Sequence, residues 1–368
     1  MNAVPVFLSG FGGFLGYHTR IAAKAMSIPV FELDLRKERV DLPAKGPFRI
    51  IHLAGISRGS DHDVSEGNIE LATRLVQTLE RAKGDLLSVA YANSTQSGMA
   101  SPYGYGKAKA AEVLSDFSGK VGAKFDDFHL PHVFGEHGKP GYNMVTSTFC
   151  HAVVHGFKPS IVEDKTLSLL HAQDAADILL GIGSFGSTQE HSPPLTVTEL
   201  LTLIRSFWDA YKYNEVPDFR IHLYKNLWNT LISHIPPEAR VCEILGKTDD
   251  RGTFSEVLRV PSSSLQVSVS DTLPGQVRGN HFHRRKFERF VVLEGKGKIK
   301  LWQAEKGMNH EYIVEGKKPC WIDMPTGWSH SIENIGDSLM KTLFISDSVF
   351  DPEDPDTFFE VRQVFGSK

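Results

Sequence analysis

Residues 275–295 read GQVRGNHFHRRKFERFVVLEG and place two histidines and a glutamate within a frame of glycines. His281 and His283 are two residues apart, a spacing that points both imidazoles to the same face of a β-strand. Glu288 follows five positions after His283, far enough to return on the next strand, and a third histidine, His330, lies downstream. Three imidazoles and a carboxylate inside a barrel suit a borderline divalent metal such as zinc, iron, nickel or manganese. The sequence therefore predicts a metal site at these four residues, with zinc as the preferred ion.

Two spaced motifs in this part of the chain resemble the cupin family. The pattern Gly-x5-His-x-His-x4-Glu-x6-Gly, from Gly275 to Gly295, matches the first cupin motif at every fixed position. The pattern Pro-x-Gly-x2-His-x3-Asn, from Pro325 to Asn334, matches the second, with Pro319 in place of its leading glycine. An HxH pair alone favours strand histidines without a ligand, but the glutamate and the second motif favour a metal site. The resemblance implies an all-β jelly-roll barrel.

Length and composition narrow the functional classes. The chain has 368 residues, which indicates two domains. A net charge of -4 without a run of basic residues predicts no nucleic-acid partner. The three cysteines are far apart and form no CxxC pair, so neither a disulfide framework nor a thiolate zinc site is predicted. The N-terminus lacks the features of a signal peptide, and no apolar run has membrane-spanning length. We therefore expect a cytoplasmic protein without a membrane partner.

A second glycine-rich stretch begins at Gly10, directly after a predicted strand over residues 4–9. A predicted helix over residues 17–26 follows, and strand, glycine loop and helix together form the usual context for binding a pyrophosphate. Gly10 permits a tight turn, Gly13 lets the backbone approach the phosphates, and Gly16 allows close packing. The phosphates would bind at the amides of the helix N-terminus.

A predicted strand over residues 29–35 carries the signal for the nucleotide's ribose. Asp34 lies 24 residues after Gly10, where a carboxylate binds a ribose 2′-hydroxyl. Arg36 would instead pair with a 2′-phosphate. Arg36 is compatible with NADPH, the cofactor that the family resemblance of this part of the chain favours, and NADH stays possible because Asp34 would repel a 2′-phosphate.

Candidate catalytic residues follow another predicted strand, over residues 86–92. Tyr103 and Lys107 lie one turn apart on a predicted helix, and the nearby ammonium should lower the pKa of the phenol. The Thr95 hydroxyl, with Ser94 as its neighbour, would hold the substrate oxygen. These residue types form a general acid/base set that moves a proton while a nicotinamide moves a hydride.

The first part of the chain resembles the extended short-chain dehydrogenase/reductases. The resemblance rests on the GxxGxxG loop, the strand end at residues 53–55, Ser94-Thr95 and Tyr103-x3-Lys107. It implies an α/β Rossmann-type doubly wound parallel sheet, with catalytic Thr95, Tyr103 and Lys107. The interval from Thr95 to Tyr103 is shorter than in that family, so Ser94 stays an alternative to Thr95. The cofactor-binding residues implied are Gly10, Phe11, Gly13, Phe14, Leu15, Gly16, Asp34, Arg36, Leu53, Ala54, Gly55, Tyr103, Lys107 and Pro131.

The fusion of such a reductase, residues 1–243, to a cupin, residues 244–368, resembles bifunctional enzymes of capsular polysaccharide synthesis in the UDP-N-acetyl-L-fucosamine pathway. It implies that the cupin epimerises carbon 3 of a UDP-4-keto-6-deoxy-N-acetylhexosamine and that the reductase then reduces the 4-keto group. It also implies a homodimer joined through the cupin. Lys286, His310 and Tyr312 are the titratable candidates for the epimerase base, each expected to be a surface residue. Two alternatives are a reductase whose cupin only binds sugar or dimerises, and a redox sensor without catalysis.

Overall fold

The computed structural model describes residues 3–37, 40, 42–183, 193–303 and 307–360. The chain divides into two compact units, Met1–Arg205 with Ile221–Ile235, and Ser206–Arg220 with Pro236–Lys368. The predicted domain boundary after residue 243 stays a prediction. Within the described ranges, no helix is both long and apolar enough to cross a membrane.

The first unit is built on a five-stranded parallel sheet in the order β2-β1-β3-β4-β5. Its elements are β1 (Val6–Ser9), α1 (Phe14–Ala25), β2 (Val30–Glu32), β3 (Pro47–His52), α2 (Asp61–Leu79), β4 (Asp85–Ser94), α3 (Pro102–Val121) and β5 (Lys124–Leu130). Further along the chain lie β6 (His132–Phe134), α4 (Val145–Val154), β7 (Thr166–Leu167), β8 (Leu169–His171), α5 (Ala172–Leu180), β9 (Leu195–Thr196), α6 (Val197–Lys212) and α7 (His222–Ser233).

Side chains of β1 alternate between two separate cores. Val6 and Leu8 pack with residues of α1 and α5 on one face of the sheet. Phe7 packs with Leu75 of α2 and Leu114 of α3 on the other face. A parallel sheet buried on both faces by helices is the doubly wound arrangement, so the predicted Rossmann-type fold is confirmed.

The second unit contains two antiparallel sheets, ordered β10-β11-β12-β19-β14-β17 and β16-β15-β18-β13-β20. Its strands are β10 (Lys247–Asp249), β11 (Gly252–Val260), β12 (Leu265–Thr272), β13 (Val277–Phe282), β14 (Glu288–Glu294), β15 (Lys296–Gln303), β16 (Met308–Glu315), β17 (Trp321–Met324), β18 (Ser329–Asn334), β19 (Met340–Ser346) and β20 (Phe358–Phe359). Alternate residues of both sheets fill one apolar core, among them Phe290 and Val292 of β14, Ile299 of β15 and Ile332 of β18. The predicted all-β cupin-like jelly roll is confirmed.

Candidate active and metal sites

The residues predicted to bind a nicotinamide cofactor lie at the carboxyl edge of the parallel sheet. Residues 10–13 connect β1 to α1, residues 14–16 begin α1, residues 53–55 follow β3, and Pro131 follows β5. Tyr103 and Lys107 lie in the first turns of α3, next after β4. Because the carboxyl ends of parallel strands share one edge, this is where a doubly wound fold binds its ligand.

The glycine loop fits a bound pyrophosphate. Gly10 has φ +69°, and a Cβ there would lie 2.8 Å from the amide nitrogen of Ala54. A Cβ at Gly16 would collide with the carbonyl oxygen of Gly10. Gly13 is the N-cap of α1, and no side chain caps this helix. The helix N-terminus therefore presents its amides, without a competing side chain, to an anionic group.

The apolar residues of the loop hold its shape. The guanidinium carbon of Arg20 lies over the Phe11 ring, 4.4 Å from the centroid of that ring. Phe14 packs edge-on against His18, with the ring centroids 4.9 Å apart, and Leu15 packs onto the core. A nucleotide would contact the backbone of these residues rather than polar side-chain atoms.

Two buried residues that the sequence reasoning missed support the end of β3. The Ser9 hydroxyl accepts hydrogen bonds from the amides of Leu53 and Ala54, at 3.1 and 3.2 Å, and lies 2.7 Å from Nδ1 of His52. Burial lowers the pKa of His52 to about 3, so its ring is neutral and Nδ1 accepts the Ser9 proton. The sequence feature that could have indicated these residues is that Ser9 and His52 are the last residues of two strands that are neighbours in the sheet.

Asp34 and Arg36 lie just beyond β2 and pair with each other. Arg36 donates to the Asp34 carboxylate through Nε at 2.8 Å and through Nη2 at 3.1 Å. These bonds lower the pKa of Asp34 to about 2, and Arg36 is exposed. The turn therefore presents a carboxylate for a ribose hydroxyl and a guanidinium for a phosphate side by side.

Ser94, the last residue of β4, lies close enough to the Tyr103 phenol to lower its pKa, although burial raises it more. Thr95, the residue favoured from the sequence pattern, is exposed in the turn beyond the strand. The structure therefore favours Ser94 for the hydroxyl beside the phenol, because consecutive residues at a strand end point in different directions.

The expectation that Lys107 lowers the pKa of Tyr103 is wrong for this structure. Burial raises the pKa of Tyr103, opposed by the nearby Ser94 hydroxyl. Lys107 donates to the Ala92 carbonyl oxygen at 2.7 Å and lies 4.0 Å from the Tyr91 ring centroid. Burial lowers the pKa of Lys107 to about 7, although Asp127 opposes that shift. Tertiary contacts thus direct the ammonium toward β4 as well as toward the edge of the sheet.

The structure brings His281, His283, Glu288 and His330 together in the second unit. One potential ligand atom from each lies within 4.8 Å of all the others. Nε2 of His283 and Nε2 of His330 each lie 3.2 Å from the same Glu288 carboxylate oxygen, Oε2. Burial, with a smaller effect of His330, lowers the pKa of His281 to about 3, which leaves this imidazole neutral.

The tautomers of two of these histidines fit a bound cation. Nδ1 of His283 lies 2.6 Å from the Asp356 carbonyl oxygen, and Nδ1 of His330 lies 3.2 Å from that of Trp328. A carbonyl oxygen only accepts, so each ring donates from Nδ1 and turns its Nε2 toward Glu288. Both Nε2 atoms are buried and lack a hydrogen-bond partner, despite their closeness to Glu288. Nε2 of a neutral imidazole with its proton on Nδ1 is the usual metal ligand, so two unpartnered Nε2 atoms around one carboxylate oxygen fit a shared divalent cation.

A bulge in β13 places the first histidine. The pairing of β13 with β18 shifts register between Gly279 and His281, and His281 then pairs with His330. Gly279 has φ +96°, and a Cβ there would lie 2.7 Å from the His330 carbonyl oxygen. Gly279, which lies within the variable interval of the motif, therefore allows the strands that carry His281 and His330 to approach each other.

The three candidates for the epimerase base lie in different surroundings. Lys286 is buried, contrary to expectation, and its Nζ lies 3.9 Å from Oε1 of Glu288. His310 and Tyr312 are exposed on β16, as expected. Lys286 is thus the candidate that lies beside the metal-binding group.

Comparison with known proteins adds relatives of the whole chain. A crystal structure of the capsular polysaccharide assembling protein CapF from Staphylococcus aureus matches 97% of this chain and 100% of its own, with a TM-score of 0.83 and 27% sequence identity. The chain is similar to CapF over almost all of its length. A second relative is a curated protein of Pseudomonas aeruginosa (strain PA103), and this match also extends over both units. That protein, a UDP-2-acetamido-2,6-beta-L-arabino-hexul-4-ose reductase, is 28% identical over 317 residues, 84% of this chain and 85% of the relative.

Each unit also has a match of its own. Residues 247–358 match the family model of the polysaccharide biosynthesis C-terminal domain. A UDP-glucose 4-epimerase from Thermotoga maritima matches 62% of this chain and 98% of its own, with a TM-score of 0.50 and 13% identity. At that identity the epimerase, unlike CapF, bears on the fold alone.

Proposed function

We propose that the chain is a bifunctional nucleotide-sugar enzyme. The second unit epimerises carbon 3 of a UDP-4-keto-6-deoxy-N-acetylhexosamine, and the first unit reduces the 4-keto group with NADPH. The product is a UDP-2-acetamido-2,6-dideoxy-L-talose-type sugar. The observation that carries the proposal is that Ser94 ends β4 and Tyr103 and Lys107 begin α3, at the carboxyl edge of a doubly wound sheet, in a chain similar to a reductase of a UDP-hexul-4-ose.

In the reduction, the side chains around β4 and α3 handle the substrate oxygen. A bound NADPH would supply the hydride. The Ser94 hydroxyl orients the carbonyl, and the Tyr103 phenol donates a proton to the oxygen at carbon 4. Burial keeps Tyr103 protonated, as a proton donor must be. Lys107 retains two N–H donors beyond its bond to Ala92, which we assign to the ribose of the cofactor.

In the epimerisation, the 4-keto group makes the proton at carbon 3 acidic. A base removes that proton, and the proton returns on the opposite face. His281, His283, Glu288 and His330 would hold the metal, and the Lys286 ammonium adds a second positive charge beside Glu288. A divalent ion, zinc in our proposal, would stabilise the developing enolate as a Lewis acid. Reduction at carbon 4 then removes the acidifying group and fixes the new configuration.

Deuterium exchange separates the two activities. The full-length protein, incubated with the UDP-4-keto sugar in D2O without nucleotide cofactor, should incorporate deuterium at carbon 3, measured by NMR. His330→Ala should lose this exchange and still oxidise NADPH when given the epimerised ketone. Lys317→Ala removes an exposed side chain of the same unit and is the control, which should exchange like the parent.

A nucleotide-sugar 4-reductase whose second unit only binds sugar or dimerises is the alternative function. It is favoured by the P. aeruginosa relative, whose name describes a reductase alone. Reduction by the parent without any exchange at carbon 3 would establish this alternative and contradict the bifunctional proposal.

We further propose a cytoplasmic homodimer joined through the second unit. The supporting observation is that Ile313 of β16 and Trp321 of β17, on terminal strands of the two sheets, expose large apolar side chains. Light scattering should give twice the mass of the chain, and Trp321→Asp should lower that mass toward the monomer.

A further inference from the structure

Residues 354–359 of the second unit, which we call the tail, hold the loop between His283 and Glu288. The Asp356 carboxylate accepts hydrogen bonds from three consecutive backbone amides, those of Arg284 at 3.3 Å, Arg285 at 2.8 Å and Lys286 at 2.9 Å. One side chain, 70 residues further along the chain than Lys286, therefore fixes the backbone of the whole loop.

The same residue contacts a histidine of the metal-binding group. The Asp356 carbonyl oxygen accepts a hydrogen bond from Nδ1 of His283 at 2.6 Å, in a buried environment. That bond fixes the orientation of the His283 ring, with Nε2 3.2 Å from Oε2 of Glu288. Asp356 thus acts on His283 through its backbone and on the adjoining loop through its side chain.

The conformation of Asp356 is itself unusual. Its φ is +46°, in the left-handed region that L-residues other than asparagine and aspartate rarely adopt, and it is only 8% exposed. Two residues later, Phe358 and Phe359 pair with Phe282 and His281 as strand β20. The left-handed residue Asp356 thus joins the part of the tail that contacts the 284–286 loop to strand β20, which pairs with β13.

We propose that Asp356 is a positioning residue for the metal-binding group, acting through His283 and the 284–286 loop. This inference rests on the metal site of the proposed function. The carboxylate holds the tail against the loop, and the tail then presents its carbonyl oxygen to His283. Second-layer partners of this kind orient a metal ligand and change metal affinity by about 10- to 100-fold when they are removed.

Asp356→Asn tests the carboxylate with little other change. Asparagine keeps the size and tolerates φ +46°, but it offers one acceptor oxygen, and its amide N–H groups would face backbone N–H groups. Asp354→Asn is the matched control, because Asp354 lies in the same tail and bonds only the exposed Arg285 side chain in the described contacts. Metal-free full-length proteins are titrated with Zn²⁺ against a chromogenic chelator. Asp356→Asn should bind Zn²⁺ at least about tenfold more weakly, and Asp354→Asn about as tightly as the parent.

Two spectroscopic readouts distinguish positioning from a general loss of stability. The visible absorption of the Co²⁺-loaded protein should change in Asp356→Asn and not in Asp354→Asn. In the metal-free parent, long-range ¹H–¹⁵N spectra should show the His283 proton on Nδ1. A proton on Nε2 with none on Nδ1 would overturn the inference even if Asp356→Asn failed to fold. Equal Zn²⁺ affinities of parent and Asp356→Asn would overturn this inference alone. No Zn²⁺ binding by the parent would overturn the metal site as well.

Discussion

Ser94, at the carboxyl end of the fourth strand of the parallel sheet, lies close enough to the Tyr103 phenol to lower its pKa. Because Ser94 lies beside the phenol and Thr95 is exposed, removal of the two hydroxyls should have unequal effects. Ser94→Ala should lower kcat/KM for ketone reduction by about 100-fold, the usual effect of losing a positioned hydrogen-bond donor. Thr95→Val, the control, should leave it nearly unchanged. NADPH oxidation measures both, and the reverse order would return the role to Thr95.

Replacement of Tyr103 tests the proton donor itself. Tyr103→Phe keeps the ring and removes the hydroxyl, so reduction should fall by at least about 100-fold. NADPH binding and deuterium exchange at carbon 3 should persist, because neither uses the phenol. Reductase turnover within about tenfold of the parent, equivalent to about 1.4 kcal/mol or less, would exclude this role.

Metal removal should destabilise the protein. An ion that binds only the folded state stabilises it by mass action, by about 2.7 kcal/mol at a hundredfold excess over Kd. Treatment with a chelator should therefore lower the melting temperature, and added Zn²⁺ should restore it. His330→Ala should show neither response. Freshly purified protein without stoichiometric metal would contradict the site.

Lys107 should make stability depend on pH. Its pKa in the folded protein, about 7, lies below its ordinary value of 10.5, so above pH 7 the unfolded chain binds more protons. The free energy of unfolding should then rise with pH, by up to about 1.4 kcal/mol per unit. Below pH 7 the full penalty of burying the ammonium applies. Lys107→Met should lack this contribution, so urea unfolding of parent and variant between pH 7 and 9 should differ in slope. Parallel profiles would contradict the shift.

Cofactor choice should depend on the Asp34–Arg36 pair. We expect NADPH to bind more tightly than NADH, because the exposed Arg36 guanidinium is available to a 2′-phosphate. Arg36→Ala should weaken NADPH binding and leave NADH binding nearly unchanged, whereas Asp34→Asn should increase the preference for NADPH. Dissociation constants for NADPH and NADH, measured by fluorescence titration, test this expectation. Tighter binding of NADH by the parent would show that Asp34, rather than Arg36, determines the cofactor preference.

Features that depend on local sequence could be predicted. The close packing at Gly16 follows from the loop itself, because a Cβ there would collide with the carbonyl oxygens of Gly10 and Phe11. His281 and His283 share a face because of strand alternation, and the two spaced motifs placed Glu288 and His330 with them. Features carried by a short segment or by a known motif could therefore be predicted.

Features that depend on tertiary contacts could not be predicted. The direction of the Lys107 ammonium is set by the Ala92 carbonyl oxygen and the Tyr91 ring, which the helical spacing to Tyr103 does not reveal. Whether Ser94 or Thr95 lies beside the Tyr103 phenol depends on a shift of one residue at the end of β4, which the sequence pattern does not reveal. Asp356 reaches His283 across 73 residues, and no periodic pattern marks such a contact.

The short strand β20 also covers part of the edge of β13. It pairs with β13 at the end of its sheet, opposite His281 and Phe282. Without it, the backbone amides and carbonyls of β13 would form an open edge, a template for a strand of another molecule. Proteolytic loss of the tail would therefore leave the chain prone to aggregation, so a preparation that precipitates on storage should be checked for cleavage before residue 358.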